Sequence, residues 1–406
     1  SKKKYFQTGN CYLIFCTFTI KRLMSKFRLN IKLLVAVSIL VASCSASRKI
    51  NKDNPGITSL QYINTYEIPY NLKYNNTTVG GLSGIDYDAI NNLYYFICDD
   101  RSDRSPARFY AAHIYISQKG IDSLAFTGVQ HLLQADGNPY PNKQQNKYKV
   151  PDPEAMRYNP ATNQLAWSSE GERIINAKDT VLEDAAIQLI KPNGKHVDSF
   201  MLPANLQMDI HEKGPRKNSV FEGLAFADNF KTLFVSVEEP LYEDGPGADV
   251  FENNSYIRIL KFDVATKKNT SQYFYKLDPV AYPANPETAF KINGVSDIMS
   301  FEKNKLLVIE RSFSTGRLAC TIKLFLAELG KATDVKNSVL KDSRGFIPAK
   351  KSLLFNMDSL GMYIDNIEGV TFGPILPNGH KTLLFIADNN FSPLEKSQVL
   401  LFEIID

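Results

Sequence analysis

Cysteine, histidine and tryptophan are scarce in this 406-residue chain, with five, five and one copies. So few thiols exclude a disulfide-stapled scaffold, and a chain of this length can bury a core without one. The histidines, His113, His131, His196, His211 and His380, form no HExxH motif and no pair at metal-ligand spacing, which argues against the common zinc sites. Apart from one short stretch near the N-terminus there is no long apolar run, so a multi-span membrane protein is excluded. Residues 1–50 lack acidic charge altogether while holding ten Lys or Arg, leaving 37 basic against 43 acidic residues in the rest. The body is mildly acidic, and its positive excess lies outside it, the reverse of what a nucleic-acid binder needs.

What is abundant points to strands. Hydrophobic residues make up 44% and charged residues 22%, as in a soluble globular protein, and 25 Phe and 20 Tyr suit pleated, half-buried surfaces.

From Met24 the chain reads MSKFRLNIKLLVAVSILVASC: basic residues, a short apolar stretch, then small residues before Cys44. This pattern is a secretory signal, too brief for a membrane anchor, and its end resembles a bacterial lipobox in which Cys44 receives lipid. An ordinary signal peptide with a chance cysteine is the alternative. Residues 1–23 read as upstream sequence, 24–43 as the signal, 44–56 as a polar tether and 57–406 as the folded domain. Export would leave Cys98 and Cys320 in apolar strand-like runs, expected as buried free thiols, with a mutual disulfide as the alternative. The expected location is a lipid anchor at the periplasmic face of the outer membrane, or alternatively at the cell surface.

Five stretches align at intervals of about seventy residues, beginning at Gly81, Asp152, Phe221, Gly294 and Ile367. Each reads as strand, polar turn and apolar strand ending in acid, followed by further strand-like runs. Four strands per unit make an all-β propeller of antiparallel blades. Five blades are favoured; a sixth is possible in the irregular region 331–362, and a β-sandwich is the rival architecture. The chain ends three strands into its last unit, and TSLQYINTYEI from Thr58 precedes the first, so the N- and C-terminal strands are expected to close the ring and remove two exposed edges.

Hairpin spacing brings the start of one strand beside the end of the next, pairing Ser83 with Asp99, Glu154 with Glu170, Glu222 with Glu238, Ser296 with Glu310, and Glu368 with Asp388. The long, charged loops after each second strand share that face. An oxygen-rich set of this kind suits a hard cation, calcium first, with Glu154, Glu222, Glu238, Glu368 and Asp388 as candidate ligands. Gly81-Leu82-Ser83-Gly84 is not a nucleophile elbow, because position 85 is Ile85 rather than glycine.

The blocks GLSGIDYD with DDR, DPEAM with SSEGE, FEGLAF, VEEPLYEDG, VSDI with LLVIERS, and IDNIEGVTFGP with FIADNNF resemble the family called esterase-like activity of phytase, across about Ile57 to Ile405. The resemblance implies a propeller related to calcium-dependent phytases, and hence a calcium-dependent phosphoric ester hydrolase acting on a small phosphorylated or ester substrate. Glu222 and Glu154, with Arg311 and Arg101, are then the candidate catalytic residues. Arg104, Arg173 and Arg317 are the candidate substrate contacts. A non-catalytic binding propeller and a calcium-dependent lactonase or esterase remain the alternatives.

Overall fold

The computed structural model describes residues 57–340 and 345–405. The expected upstream segment, signal peptide, Cys44 and tether lie outside the described residues.

Five four-stranded antiparallel sheets surround an axis. From axis to rim, blade 1 is Gly84–Asp88, Leu93–Cys98, Arg108–Ser117 and Gly120–His131; blade 2 is Pro153–Asn159, Gln164–Ser169, Ala186–Ile190 and His196–Ser199. Blade 3 is Phe221–Ala227, Thr232–Val237, Tyr256–Asp263 and Lys268–Lys276; blade 4 is Lys291–Glu302, Lys305–Ser314, Thr321–Glu328 and Lys350–Asn356. Blade 5 combines Asn366–Phe372, Thr382–Asp388 and Ser397–Ile405 with the N-terminal strand Ser59–Ile68 on its rim. The first strands of the five blades touch one another in a closed ring. Among the described residues, the region 331–362 supplies no sixth blade: it holds loop, the outer strand of blade 4 and a 3-10 turn at Met357–Leu360.

Ring closure follows the expected pairing. Ser59–Ile68 runs antiparallel to Ser397–Ile405, from Ser59 opposite Ile405 to Ile68 opposite Ser397, and Thr58 Oγ1 donates to Ile405 O at 2.6 Å. The pairing satisfies backbone groups that would otherwise form an open edge on each terminal strand.

The second strands carry runs of consecutive apolar residues rather than a strict alternation, because each face packs on a different blade. In blade 1, Tyr94 and Phe96 pack with Leu384 and Ile386 of blade 5, while Tyr95 and Ile97 pack with Leu165 and Trp167 of blade 2. Side chains alternate across a strand, so a strand between two blades needs apolar residues at both parities. Phe96 and Trp167 are wholly buried; truncating either to alanine would cost about 3–5 kcal/mol in lost burial and cavity. Cys98 and Cys320 are free and buried.

The inner hairpins turn on residues that tolerate a left-handed backbone. Asn92, Asn163, Asn229 and Asn304 all have positive φ, between 49° and 56°, which explains the asparagines at the turns of four repeats. These tight turns lie at one end of the axis and leave the longer loops at the other. Among the described residues, no helix is long and apolar enough to cross a membrane.

Candidate functional site

The inner hairpins share an irregularity. In blades 3, 4 and 5 the register slips between Phe221 and Gly223, Val295 and Asp297, and Ile367 and Gly369, leaving Glu222, Ser296 and Glu368 without a partner across the hairpin. Blade 2 slips between Pro153 and Met156, around Glu154, and in blade 1 Ser83 stands just before the paired segment. Such bulges re-aim a side chain out of the strand's alternation. Two of the acids are followed by glycine where a neighbouring backbone comes close: a Cβ on Gly223 would stand 2.7 Å from Ile298 N, and one on Gly369 3.0 Å from Gly84 Cα. The two serines stitch blades together, Ser83 Oγ donating to Glu154 O at 2.7 Å and Ser296 Oγ to Ile367 O at 2.9 Å.

At the end of the second strand stand Asp99, Glu170, Glu238 and Asp388 in four blades. Blade 4 departs from the spacing-based pairing. Val295 pairs with Glu310 as Phe221 pairs with Val237, so the counterpart of Glu238 is Arg311 and not Glu310. The bulge absorbs one residue of register, which spacing alone does not reveal. Glu310 is instead held between blades 3 and 4, where it accepts from Tyr275 Oη at 2.7 Å, Lys351 Nζ at 2.6 Å, Asn293 Nδ2 at 2.8 Å and Asp278 N at 2.9 Å.

The acids converge. Asp99, Asp152 and Glu154 each present a carboxylate oxygen within 4.8 Å of the others, as do Glu154, Glu170 and Glu222, so Glu154 belongs to both groups. Asp99 is half-buried and the other four are buried. Burial first, then the neighbouring acids, push the carboxyls of Asp99, Glu154 and Glu222 well above the usual range. Glu170 is pushed up in the same way, although Val220 N donates to it. Burial also raises Asp152 to about 6 and Glu238 to about 7, against the opposing pull of Arg101 and Arg311 respectively. Glu368 and Asp388 are buried and raised too.

Arg311 Nη1 donates to Glu368 Oε1 and Nη2 to Glu238 Oε1, each at 2.7 Å, and Nη1 also meets Asn366 Oδ1. Arg101 lies 3.1 Å from Asp152 and 2.9 Å from Glu172. Two guanidiniums do not neutralise eight carboxyls. The surplus must carry protons or face a cation, and a donor set made wholly of carboxylate oxygens, with no imidazole or thiolate, fits a hard ion such as calcium.

The structure thus gathers Glu154, Glu222, Glu238, Glu368, Asp388, Arg101 and Arg311 at one end of the axis, but gives the two arginines to carboxylates. Arg173 is committed elsewhere: its guanidinium donates to Asp209 O at 3.1 Å and His211 O at 2.9 Å and stacks over Tyr242. These contacts tie it to the loop at residues 209–211. Arg104 lies exposed over Phe391, 4.6 Å from the ring centre, and Arg317 lies exposed 3.6 Å over Tyr282. Spacing missed Asp152, which lies outside the paired strand and is brought in when Glu170 N donates to Asp152 O at 3.1 Å. Its position two residues before Glu154 was the available signal.

Residues 77–391 match the phytase-like family, described as esterase-like activity of phytase. The chain belongs to this family. No curated protein matches the sequence. Among solved structures, this phytase-like propeller is similar to a GH43 β-1,3-galactosidase bound to galactodeoxynojirimycin, at 9% identity and a TM-score of 0.42 over 82% of this chain and 93% of that one. A member of the DUF4221 family from Bacteroides vulgatus gives 9% identity and a TM-score of 0.38 over 86% and 98%. A putative glucose dehydrogenase-type oxidoreductase from Thermus thermophilus gives 13% identity and a TM-score of 0.34 over 81% and 86%.

Proposed function

We propose that this phytase-like propeller is a calcium-dependent phosphoric ester hydrolase, exported and held at a membrane by lipid on Cys44. The observation that carries the reading is the pair of carboxylate triads sharing Glu154, all buried but the half-buried Asp99. Asp99, Asp152, Glu154, Glu170 and Glu222 are the residues that would hold calcium. A bound divalent cation supplies positive charge against a phosphoryl oxygen and lowers the pKa of a coordinated water.

The chain's own groups divide the remaining work. The terminal nitrogens of Arg311 and Arg101 are paired with Glu238, Glu368, Asp152 and Glu172, so the two act as internal counter-ions that let acids crowd together. This replaces their expected role as phosphate forks. The exposed Arg317 and Arg104 are the guanidiniums free to meet a substrate anion. Glu222 has two carboxylate oxygens, so one can hold the cation while the other takes a proton from the attacking water.

The purified domain is to be assayed for phosphate release from a panel of phosphomonoesters, with calcium and with chelator. Calcium-dependent turnover, lost in Glu154→Gln and Glu222→Gln at unchanged fold, supports the reading. A folded, calcium-binding protein that releases no phosphate from the panel replaces it with a non-catalytic binding propeller.

A further inference from the structure

Beside the acidic centre opens a cleft of about 480 Å³ whose lining differs from the rest of the site. Its polar lining is Glu238, Arg311, Arg317, Asp365, Glu395 and three asparagines, and Arg311 joins it to the acidic centre by donating to Glu238 and Glu368. Its walls include Phe290, Ile292, Phe313, Leu318, Tyr363 and Leu394. Three of these are among the large apolar side chains most open to solvent: Phe290 at 62%, Leu318 at 89% and Leu394 at 87% exposed. They come from three separate places, the start of the blade 4 inner strand, the turn after its second strand and the loop before Ser397–Ile405. Arg317, with its guanidinium stacked on Tyr282, also lines the cleft.

Apolar side chains scattered singly over a surface need no explanation, but several gathered round one cleft, next to convergent charged groups, form a ligand pocket. A volume within about 300–1,000 Å³ is usual for such a site, and here charged and amide groups stand beside the apolar walls. The lining narrows the occupant: Arg317, its guanidinium exposed over Tyr282, offers donors to an anionic group, and Phe290, Phe313, Leu318 and Leu394 suit an uncharged aromatic body.

Resting on the hydrolase reading above, we infer that the preferred substrate is an aryl phosphate monoester. Its aromatic alcohol part lies in the cleft walled by Phe290, Phe313, Leu318 and Leu394, and its phosphate is directed to the acidic centre. In the reaction, a water oxygen forms the new bond to phosphorus and the bond from phosphorus to the aryl oxygen breaks. The bonding pair leaves with that oxygen, and the proton lost by the water ends on it, giving inorganic phosphate and a phenol.

The test separates binding from chemistry. Phenylphosphonate and methylphosphonate, which have no ester bond to cleave, are titrated calorimetrically into the whole domain with calcium and with chelator. Phenyl phosphate, glycerol phosphate and phytate are compared as substrates. Leu318→Asp and Leu394→Asp, both at solvent-exposed positions, place a charge in the cleft, and Ile90→Asp at the turn end of blade 1 is the surface control. The expected result is phenylphosphonate binding at least about tenfold tighter than methylphosphonate, with that preference lost in the two cleft variants and kept in the control. KM for phenyl phosphate should rise about tenfold in the cleft variants while kcat changes little. Equal binding of the two phosphonates with and without calcium, or cleft variants that keep the aryl preference, overturns the inference even if phosphate esters are hydrolysed. An intact aryl preference without turnover of any ester overturns the hydrolase reading and leaves the cleft assignment standing.

Discussion

Arg311 stands where the repeat places an acid, and it is bonded to the acid that holds the equivalent place one blade earlier: its Nη2 donates to Glu238 Oε1 at 2.7 Å. The same guanidinium reaches Glu368 in the next blade. One substitution in a fivefold pattern therefore turns a fully repulsive ring into one with an internal cation spanning three blades.

Removing that cation should be costly. Arg311→Met leaves Glu238 and Glu368 buried without their partner, and losing one member of a buried pair typically costs about 3–5 kcal/mol. Urea denaturation in chelator should show a loss of that order, partly recovered on adding calcium. A variant as stable as the parent in chelator would show that the acids are already protonated and need no counter-ion.

Glu154 should dominate cation affinity because it belongs to both triads, whereas Asp99 and Glu222 each belong to one. Glu154→Gln is expected to weaken calcium binding more than Asp99→Asn or Glu222→Gln, as read by calorimetry. In the parent, calcium at a hundredfold excess over its dissociation constant should add about 2.7 kcal/mol of stability, and the rise in Tm should vanish with chelator. Equal losses in all three variants would argue that the two triads do not share a site.

Ring closure makes the N-terminal strand part of the domain. Deleting residues 45–68 removes every partner of Ser397–Ile405 on its rim side, and the protein should then be markedly destabilised and prone to associate through the bare edge. Deleting 45–55 alone should leave Tm unchanged. Matched melting curves for the two deletions would contradict closure by this strand.

Blade count, strand order and ring closure were legible because hairpin signals are local: a polar turn between two β-rich runs, repeated five times, needs no long-range knowledge. The acidic face was legible for the same reason. The identity of the fifth ring residue was not, since a bulge shifts register by one without altering composition, and Glu310 and Arg311 are adjacent. Nor were the tasks of the arginines. Arg311 meets Glu368 across blades and Arg173 meets carbonyls of residues 209 and 211, contacts that depend on how separate repeats pack and leave no mark in the spacing of either.

The sign of the pH dependence follows from buried acids outside the triads. Burial raises Asp297 to about 6 despite Arg157 at 2.5 Å, and raises Glu183 to about 7. Unfolded, these groups titrate near 4. An acid whose folded pKa lies above its unfolded one binds its proton more tightly in the fold, so its stabilising effect is complete below about pH 4 and is lost as pH rises through about 6 and 7. The triad acids, shifted in the same direction, add to that slope when no cation holds them ionised. Metal-free protein should therefore lose stability between about pH 4 and pH 7. Calcium, which binds the ionised carboxylates, should stabilise more at pH 7 than at pH 5 and flatten the profile. Urea midpoints measured across this range, in chelator and in calcium, check both statements; a metal-free profile that rises towards pH 7 would mean that the arginines hold these acids ionised.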